Sequence, residues 1–110
     1  SCNGDLDISG SVGGDIRCDG DLRIDGSIKG DVECSGDAVI HGSVSGDVHC
    51  DGDLTLGETS SRIRVGGDIE CGKNCTIYGD ASGDVSVDFD LILNGKVSGD
   101  LEVGGKVTTI

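Results

Sequence analysis

The chain has 110 residues and a formal net charge of −13, from 21 acidic and 8 basic side chains. This balance argues against nucleic acid or an anionic membrane as a partner, because such ligands are held by clustered Lys and Arg side chains. Glycine accounts for 21 residues and proline for none. Collagen requires glycine at every third position together with proline, and a transmembrane helix requires about 20 consecutive apolar residues, so the composition excludes both.

A repeat of sixteen residues runs through the chain. Cys2, Cys18, Cys34 and Cys50 lie sixteen residues apart, and Cys71 follows a repeat that is about five residues longer around residues 58–64. Further repeats begin at Val87 and Val103. A fixed period of this length is typical of solenoids, in which each repeat forms one coil. We therefore expect residues 1–110 to form a single repeat domain.

Within each repeat the odd positions are apolar or glycine, and the even positions are mostly polar. Counted from the cysteine, the apolar positions are one, five, seven, eleven and fifteen, as in Cys18, Leu22, Ile24, Ile28 and Val32. A period of two predicts β-strands, and the frequent glycines disfavour helix. A sixteen-residue unit cannot bury its own apolar face, whereas stacked copies can.

The sequence thus predicts an all-β, single-stranded parallel β-solenoid, or β-helix. We expect about sixteen residues per coil, six to seven coils and a length of roughly 30 Å, since parallel strands lie about 4.8 Å apart. Recurring glycines at positions three, nine and thirteen predict three corners, where a positive φ carries no steric cost, and hence a triangular cross-section.

The cysteine column has three interpretations. The favoured one is that the cysteines are small buried hydrophobic residues, since Val87 and Val103 occupy the same position in later repeats. Some disulfides or a metal site are the alternatives, although the only close pair is Cys71 and Cys75. Reduced thiols would favour a cytoplasmic location.

A column of aspartates occupies position fourteen of every complete repeat. Its members are Asp15, Asp31, Asp47, Asp68, Asp84 and Asp100. Carboxylates stacked at strand spacing repel one another, so we expect each of them to accept hydrogen bonds from nearby backbone N–H groups, as in Asx turns. The alternative is calcium held between coils, although the nonapeptide motif of calcium-binding β-rolls is absent.

No pattern in the chain predicts catalysis. His41 and His49 lie at outward positions without a nucleophile or acid at a spacing typical of a catalytic triad, and the carboxylates recur too regularly to mark a unique site. We therefore predict no enzyme activity, no catalytic residue and no cofactor.

The run from Gly20 to Leu56 resembles the central domain of bactofilins, a family of bacterial cytoskeletal proteins. The resemblance lies in Gly-Asp punctuation and in a hydrophobic-x-Gly-x-hydrophobic pattern, seen at Ile24–Ile28 and Leu93–Val97. It implies a right-handed triangular β-helix that polymerises end to end without nucleotide. The cysteine column, the high acidity and the short coil depart from that family.

The open ends of such a solenoid predict self-association, because they present unpaired strand edges and apolar columns. The expected contacts are Cys2, Leu6, Ile8 and Val12 at one end and Leu101, Val103, Val107 and Ile110 at the other. The predicted partner is therefore a further copy of the chain, with no nucleic acid or membrane contact. The alternatives are a surface or adhesive binding module, calcium-loaded or using the insertion Ser60–Arg64, and, less favoured, a remnant of a carbohydrate-active protein.

Overall fold

The chain folds into a parallel β-solenoid. The computed structural model describes residues 4–57 and 63–109. They contain fourteen short strands and no helix, and so no helix that could cross a membrane. The molecule extends 31 Å along the solenoid axis and 22 by 21 Å across it. The predicted fold class and the length are confirmed, while the hand of the solenoid stays a prediction.

Each coil contributes one strand to each of two parallel sheets. The sheet we call side one follows positions fifteen to one and consists of β2 (Ile16–Cys18), β4 (Val32–Cys34), β6 (Val48–Cys50), β9 (Ile69–Cys71), β11 (Val85–Val87) and β13 (Leu101–Val103). The sheet on side two follows positions five to eight and consists of β1 (Leu6–Ser9), β3 (Leu22–Asp25), β5 (Ala38–Ile40), β7 (Leu54–Leu56), β10 (Cys75–Ala81), β12 (Leu91–Asn94) and β14 (Val107–Thr109).

Side three, at positions nine to thirteen, has the least continuous strand pairing. Single parallel bridges join Val12, Ile28, Val44 and Val65 in succession, and another joins Ala81 to Val97. Between them, β8 (Ile63–Val65) pairs with the second half of β10. Three sides of stacked strands and bridges account for the triangular cross-section that the glycine spacing predicts.

Register is kept from coil to coil. Leu22 pairs with Ala38 and Cys18 with Cys34, each sixteen residues apart, whereas Cys50 pairs with Cys71 across the longer repeat. The five additional residues therefore leave the two sheets undisturbed. Because the side-chain period in a strand is two, this in-register stacking sends every odd position inward.

The interior is one continuous hydrophobic core built from these odd positions. It includes the cysteines of the column together with Leu, Ile, Val and Ala, and no polar or charged residue among those described is buried. Leu6, Ile8, Val12, Val97 and Val103 pack against this core from the two ends and are only partly buried. Burial is thus complete in the middle coils and mostly incomplete at the two ends, although Ile16 of the edge strand β2 is buried.

Candidate functional site: corner carboxylates, thiols and solenoid ends

The aspartates at position fourteen form a hydrogen-bonded ladder. The Oδ1 atom of Asp15 accepts the backbone N–H of Asp31 at 2.8 Å, and Asp31 Oδ1 accepts the N–H of Asp47 at 2.9 Å. The same bond recurs up the column to Asp100, whose N–H is donated to Asp84 Oδ1 at 2.8 Å. The prediction of carboxylates bonded to backbone N–H groups is correct in kind. The expected local Asx turn is wrong, because each bond crosses to the next coil.

A second ladder runs along position four. Asp5 Oδ1 accepts the N–H of Asp21 at 3.0 Å, and the pattern continues through Asp37, Asp53, Asn74 and Asp90. It ends where Asp90 Oδ1 accepts the N–H of Lys106 at 3.0 Å. In every one of these bonds a backbone N–H donates to a side-chain oxygen. Hydrogen bonds accepted by a carboxylate are stronger than hydrogen bonds between neutral groups. The two ladders therefore offset the like-charge repulsion that stacking creates.

Glycine precedes every aspartate of the position-fourteen column, for a reason that differs from the predicted one. A Cβ atom on Gly30 would lie 2.3 Å from Asp15 Oδ1 and 2.6 Å from the carbonyl carbon of Gly14, so the ladder leaves no room for a side chain. The prediction of positive φ at positions three and thirteen is wrong. Among described residues, positive φ occurs only at position nine, as in Gly10 at 113°, and at Gly57 at 76°.

The alternative prediction of calcium on the position-fourteen column concerns the same carboxylates. One oxygen of each aspartate from Asp15 to Asp84 already accepts a backbone N–H. Within residues 4–57 and 63–109, no three or more His, Cys, Asp or Glu side chains converge in a way that could hold a metal ion. Calcium binding stays a prediction.

The cysteine column lies inside the core. Cys18, Cys34, Cys50, Cys71 and Cys75 are all buried and all carry free thiols. The thiols of the column donate hydrogen bonds to the carbonyl groups of position-three glycines in the preceding coil. Cys34 Sγ donates to the carbonyl of Gly20 at 3.2 Å, and Cys50 Sγ donates to that of Gly36 at 3.1 Å. The favoured interpretation of small buried residues matches these positions, while Cys2 lies outside the described residues.

Burial also sets the ionisation of the thiols. Desolvation raises the pKa of Cys34, and it raises that of Cys50 to about 12. The hydrogen bond between Cys71 and Cys75 lowers the pKa of Cys71 and raises that of Cys75. Since the thiolate is the reactive form, Cys34 and Cys50 are poor nucleophiles at neutral pH.

His49 forms a small polar cluster on side one that the sequence does not predict. Its Nε2 atom lies 3.0 Å from Asp51 Oδ1, and its Nδ1 atom lies 3.4 Å from Glu70 Oε2 in the next coil. Burial lowers the pKa of His49, but the hydrogen bond to Asp51 and the charge of Glu70 outweigh it, so the net shift is upward. The pairing of β6 with β9 brings Glu70 to this site, across a sequence separation that includes the insertion.

The predicted self-association residues fall at the two ends of the solenoid. At the C-terminal end, Leu101 is 41% exposed and Val107 is 42% exposed, and Val103 is half-buried. At the other end, Leu6, Ile8 and Val12 are half-buried. Cys2 and Ile110 lie outside the described residues, as do Ser60, Ser61 and Arg62 of the insertion. The two ends thus present apolar side chains from interior columns.

Two further exposed apolar residues lie on the flank rather than at an end. Phe89 is 56% exposed at position three, where most coils carry glycine, and Ile92 is 40% exposed at position six. Neither residue was singled out from the sequence, although an aromatic residue at a position otherwise occupied mainly by glycine already indicates an unusual surface site. Leu101, Val107, Phe89 and Ile92 all belong to the last two coils.

Comparison with known proteins gives one match. A family model described as "Bactofilin: Polymer-forming cytoskeletal" matches residues 1–73 and again residues 25–109. The two matches overlap, with the second beginning further along the repeat array, and together they cover residues 1–109. No curated protein and no solved structure matches the chain.

Proposed function

Because this chain belongs to the bactofilin family, a polymer-forming cytoskeletal family, we propose that it is a non-enzymatic structural module that associates end to end with further copies of itself. The observation that carries the proposal is the exposure of Leu101 and Val107 at the end of the solenoid. Both belong to columns that are buried in the middle coils. A second copy placed on this end would bury them in the same way.

Backbone hydrogen bonding supports the same interpretation. In the sheets each coil donates N–H groups to the next: the N–H of Val85 bonds to the carbonyl of Asp100, and the N–H of Leu91 bonds to that of Lys106, both at 2.8 Å. Among the described residues, no later coil follows to receive the N–H groups of Leu101 and Val107. An unpaired strand edge of this kind is a template for another chain.

The favoured location is cytoplasmic, on the physical ground that five buried cysteines carry free thiols. Reduced cysteines are typical of reducing compartments. The partner in this proposal is the chain itself, and the family's description as polymer-forming supports that choice.

The test is to place a charge on the end surface. We expect the double variant Leu101→Asp, Val107→Asp to remain folded, since both side chains are already partly solvated, and to lose polymer formation, because a carboxylate buried at the junction would be desolvated without a partner. Polymer length is measured by electron microscopy and sedimentation velocity, and folding by circular dichroism.

The matched control is the double variant Phe89→Asp, Ile92→Asp, which introduces the same two charges at exposed apolar positions on the flank of the solenoid. End-to-end association predicts that this control still polymerises. Filaments formed equally well by the end variant would contradict the proposal.

A further inference from the structure

Charge is distributed unevenly over the three sides of the solenoid. Side three carries three basic side chains and one acidic side chain among the described residues, for a net charge of +2: Lys29, Arg64, Lys96 and Asp80. Counted in the same way over positions fifteen to one, side one carries one basic side chain and three acidic ones, for a net charge of −2: Arg17, Glu33, Glu70 and Glu102. Sides three and one therefore carry opposite net charges within a chain of overall charge −13, and the aspartates of position fourteen lie at the corner between them.

The basic side chains of side three form no ion pair with an acidic side chain among the described residues. Lys29, Arg64 and Lys96 are exposed, and none of them forms an ion pair within 4.0 Å in the part of the chain that the structure describes. The single acid of this side, Asp80, is half-buried, and its Oδ1 atom accepts the backbone N–H of Lys96 at 3.2 Å. The positive charge of side three is thus open to an external partner.

The basic residues recur on alternate coils. Lys29 lies in the second coil, Arg64 in the fourth and Lys96 in the sixth. The glutamates in the middle of side one lie in the same coils, at Glu33, Glu70 and Glu102, and all three are exposed. Glu33 also lies 4.0 Å from Arg17 and Glu70 lies 3.4 Å from His49, so a neighbouring copy would compete with these two exposed contacts. Since neighbouring coils are spaced like parallel strands, both sets repeat every ~9.6 Å along the axis.

From this match we propose that two solenoids associate side by side, with side three of one copy against side one of the next. A second copy is the one partner whose acidic groups must have the same axial spacing as the basic groups, because both arise from the same coil. With the two axes parallel and level, each basic side chain faces a glutamate of the equivalent coil in the neighbour. The contact joins two different surfaces, so it can repeat from copy to copy.

This lateral contact is independent of the end-to-end association proposed above, because it uses neither solenoid end. It is therefore tested in the end variant Leu101→Asp, Val107→Asp, in which stacking is blocked. Sedimentation velocity at low salt should show lateral oligomers of this variant. These oligomers should disperse near 1 M salt, where the Debye length falls to about 3 Å.

The discriminating change in that background is the triple substitution Lys29→Glu, Arg64→Glu, Lys96→Glu. Its matched control, which we call the side-two control, is Arg23→Glu, Lys73→Glu, Lys106→Glu. It alters net charge equally at three exposed side chains on side two and on the corner that leads into it, at positions six, three and four. We expect the side-three variant to need about tenfold more protein for lateral association at low salt. The control should shift this concentration by less than about twofold, within the variation of exposed ion pairs.

A complementary pair of variants tests the docking directly. Chains carrying Lys29→Glu, Arg64→Glu, Lys96→Glu should associate again when mixed with chains carrying Glu33→Lys, Glu70→Lys, Glu102→Lys. Equal loss of association in the side-two control, absence of rescue on mixing, or absence of lateral oligomers at low salt would each overturn the proposal. Binding of the side-three surface to anionic vesicles in preference to a second copy would overturn it as well.

Discussion

The middle coils and the last coils of the solenoid are built from the same repeat, yet they bury their residues to different extents. Leu91, at position five of the sixth coil, is completely buried, whereas Leu101, at position fifteen, is 41% exposed. Both are leucines in interior columns, and they differ in that Val107 of the following coil pairs with Leu91, while no described coil follows Leu101. Burial in this fold is therefore supplied by the next coil, as expected of solenoids.

The largest expected effect comes from truncating these two leucines. We expect Leu91→Ala to lower the free energy of unfolding by about 2–5 kcal/mol, because it opens a cavity between coils. Leu101→Ala should cost well under half as much, since part of that side chain already lies in water. Urea unfolding at concentrations where the chain is monomeric measures both values. Equal losses would contradict coil-by-coil burial.

The next largest effect on stability compares two glycines of the position-thirteen column, Gly30 inside the solenoid and Gly14 at its end. A Cβ atom on Gly30 would meet the carboxylate of Asp15 and the backbone of Gly14, whereas a Cβ atom on Gly14 would have nothing within 4 Å. Gly30→Ala should therefore destabilise the protein by about 1–3 kcal/mol through overpacking. Gly14→Ala should be close to neutral or slightly stabilising, because it reduces the entropy of the unfolded chain. Thermal denaturation of the two single variants decides the matter.

The smallest of the three effects separates two members of the aspartate ladder. Asp31→Ala removes the acceptor of the Asp47 N–H, whereas Asp100 is the last member of its column and has no such donor above it among the described residues. We expect a loss of about 1 kcal/mol for Asp31→Ala, and less for Asp100→Ala. Asp31→Asn, which keeps an oxygen acceptor, should recover most of the loss. If Asp31→Ala proved more stable than the unaltered chain, repulsion would dominate the ladder.

Periodicity made the architecture predictable. The sixteen-residue spacing of Cys18, Cys34 and Cys50 and the alternation between odd and even positions predicted parallel stacking, three sides and the membership of the core, and the structure confirms all of these. Family resemblance was likewise visible in the Gly-Asp punctuation, and the match over residues 1–109 confirms it.

The partners of the polar groups were less predictable. The carboxylate of Asp15 was expected to bond within its own turn, yet it reaches the N–H of Asp31, and the glycines at position thirteen were expected to adopt positive φ, yet they are required by close stacking. His49 came to lie between Asp51 and Glu70 because β6 pairs with β9 across the insertion. Each of these depends on distances between coils, which a linear alignment of repeats does not contain.

By itself the sequence determined which side chains point inward and that equivalent residues stack, because a strand's alternation and a constant repeat length are properties of the chain. Tertiary structure alone decided which donor each carboxylate bonds, which glycines have no room for a Cβ atom, and that the charge separates into a positive and a negative side. Those outcomes depend on spacings of a few ångströms between residues sixteen or more positions apart, and they exist only once one coil lies on the next.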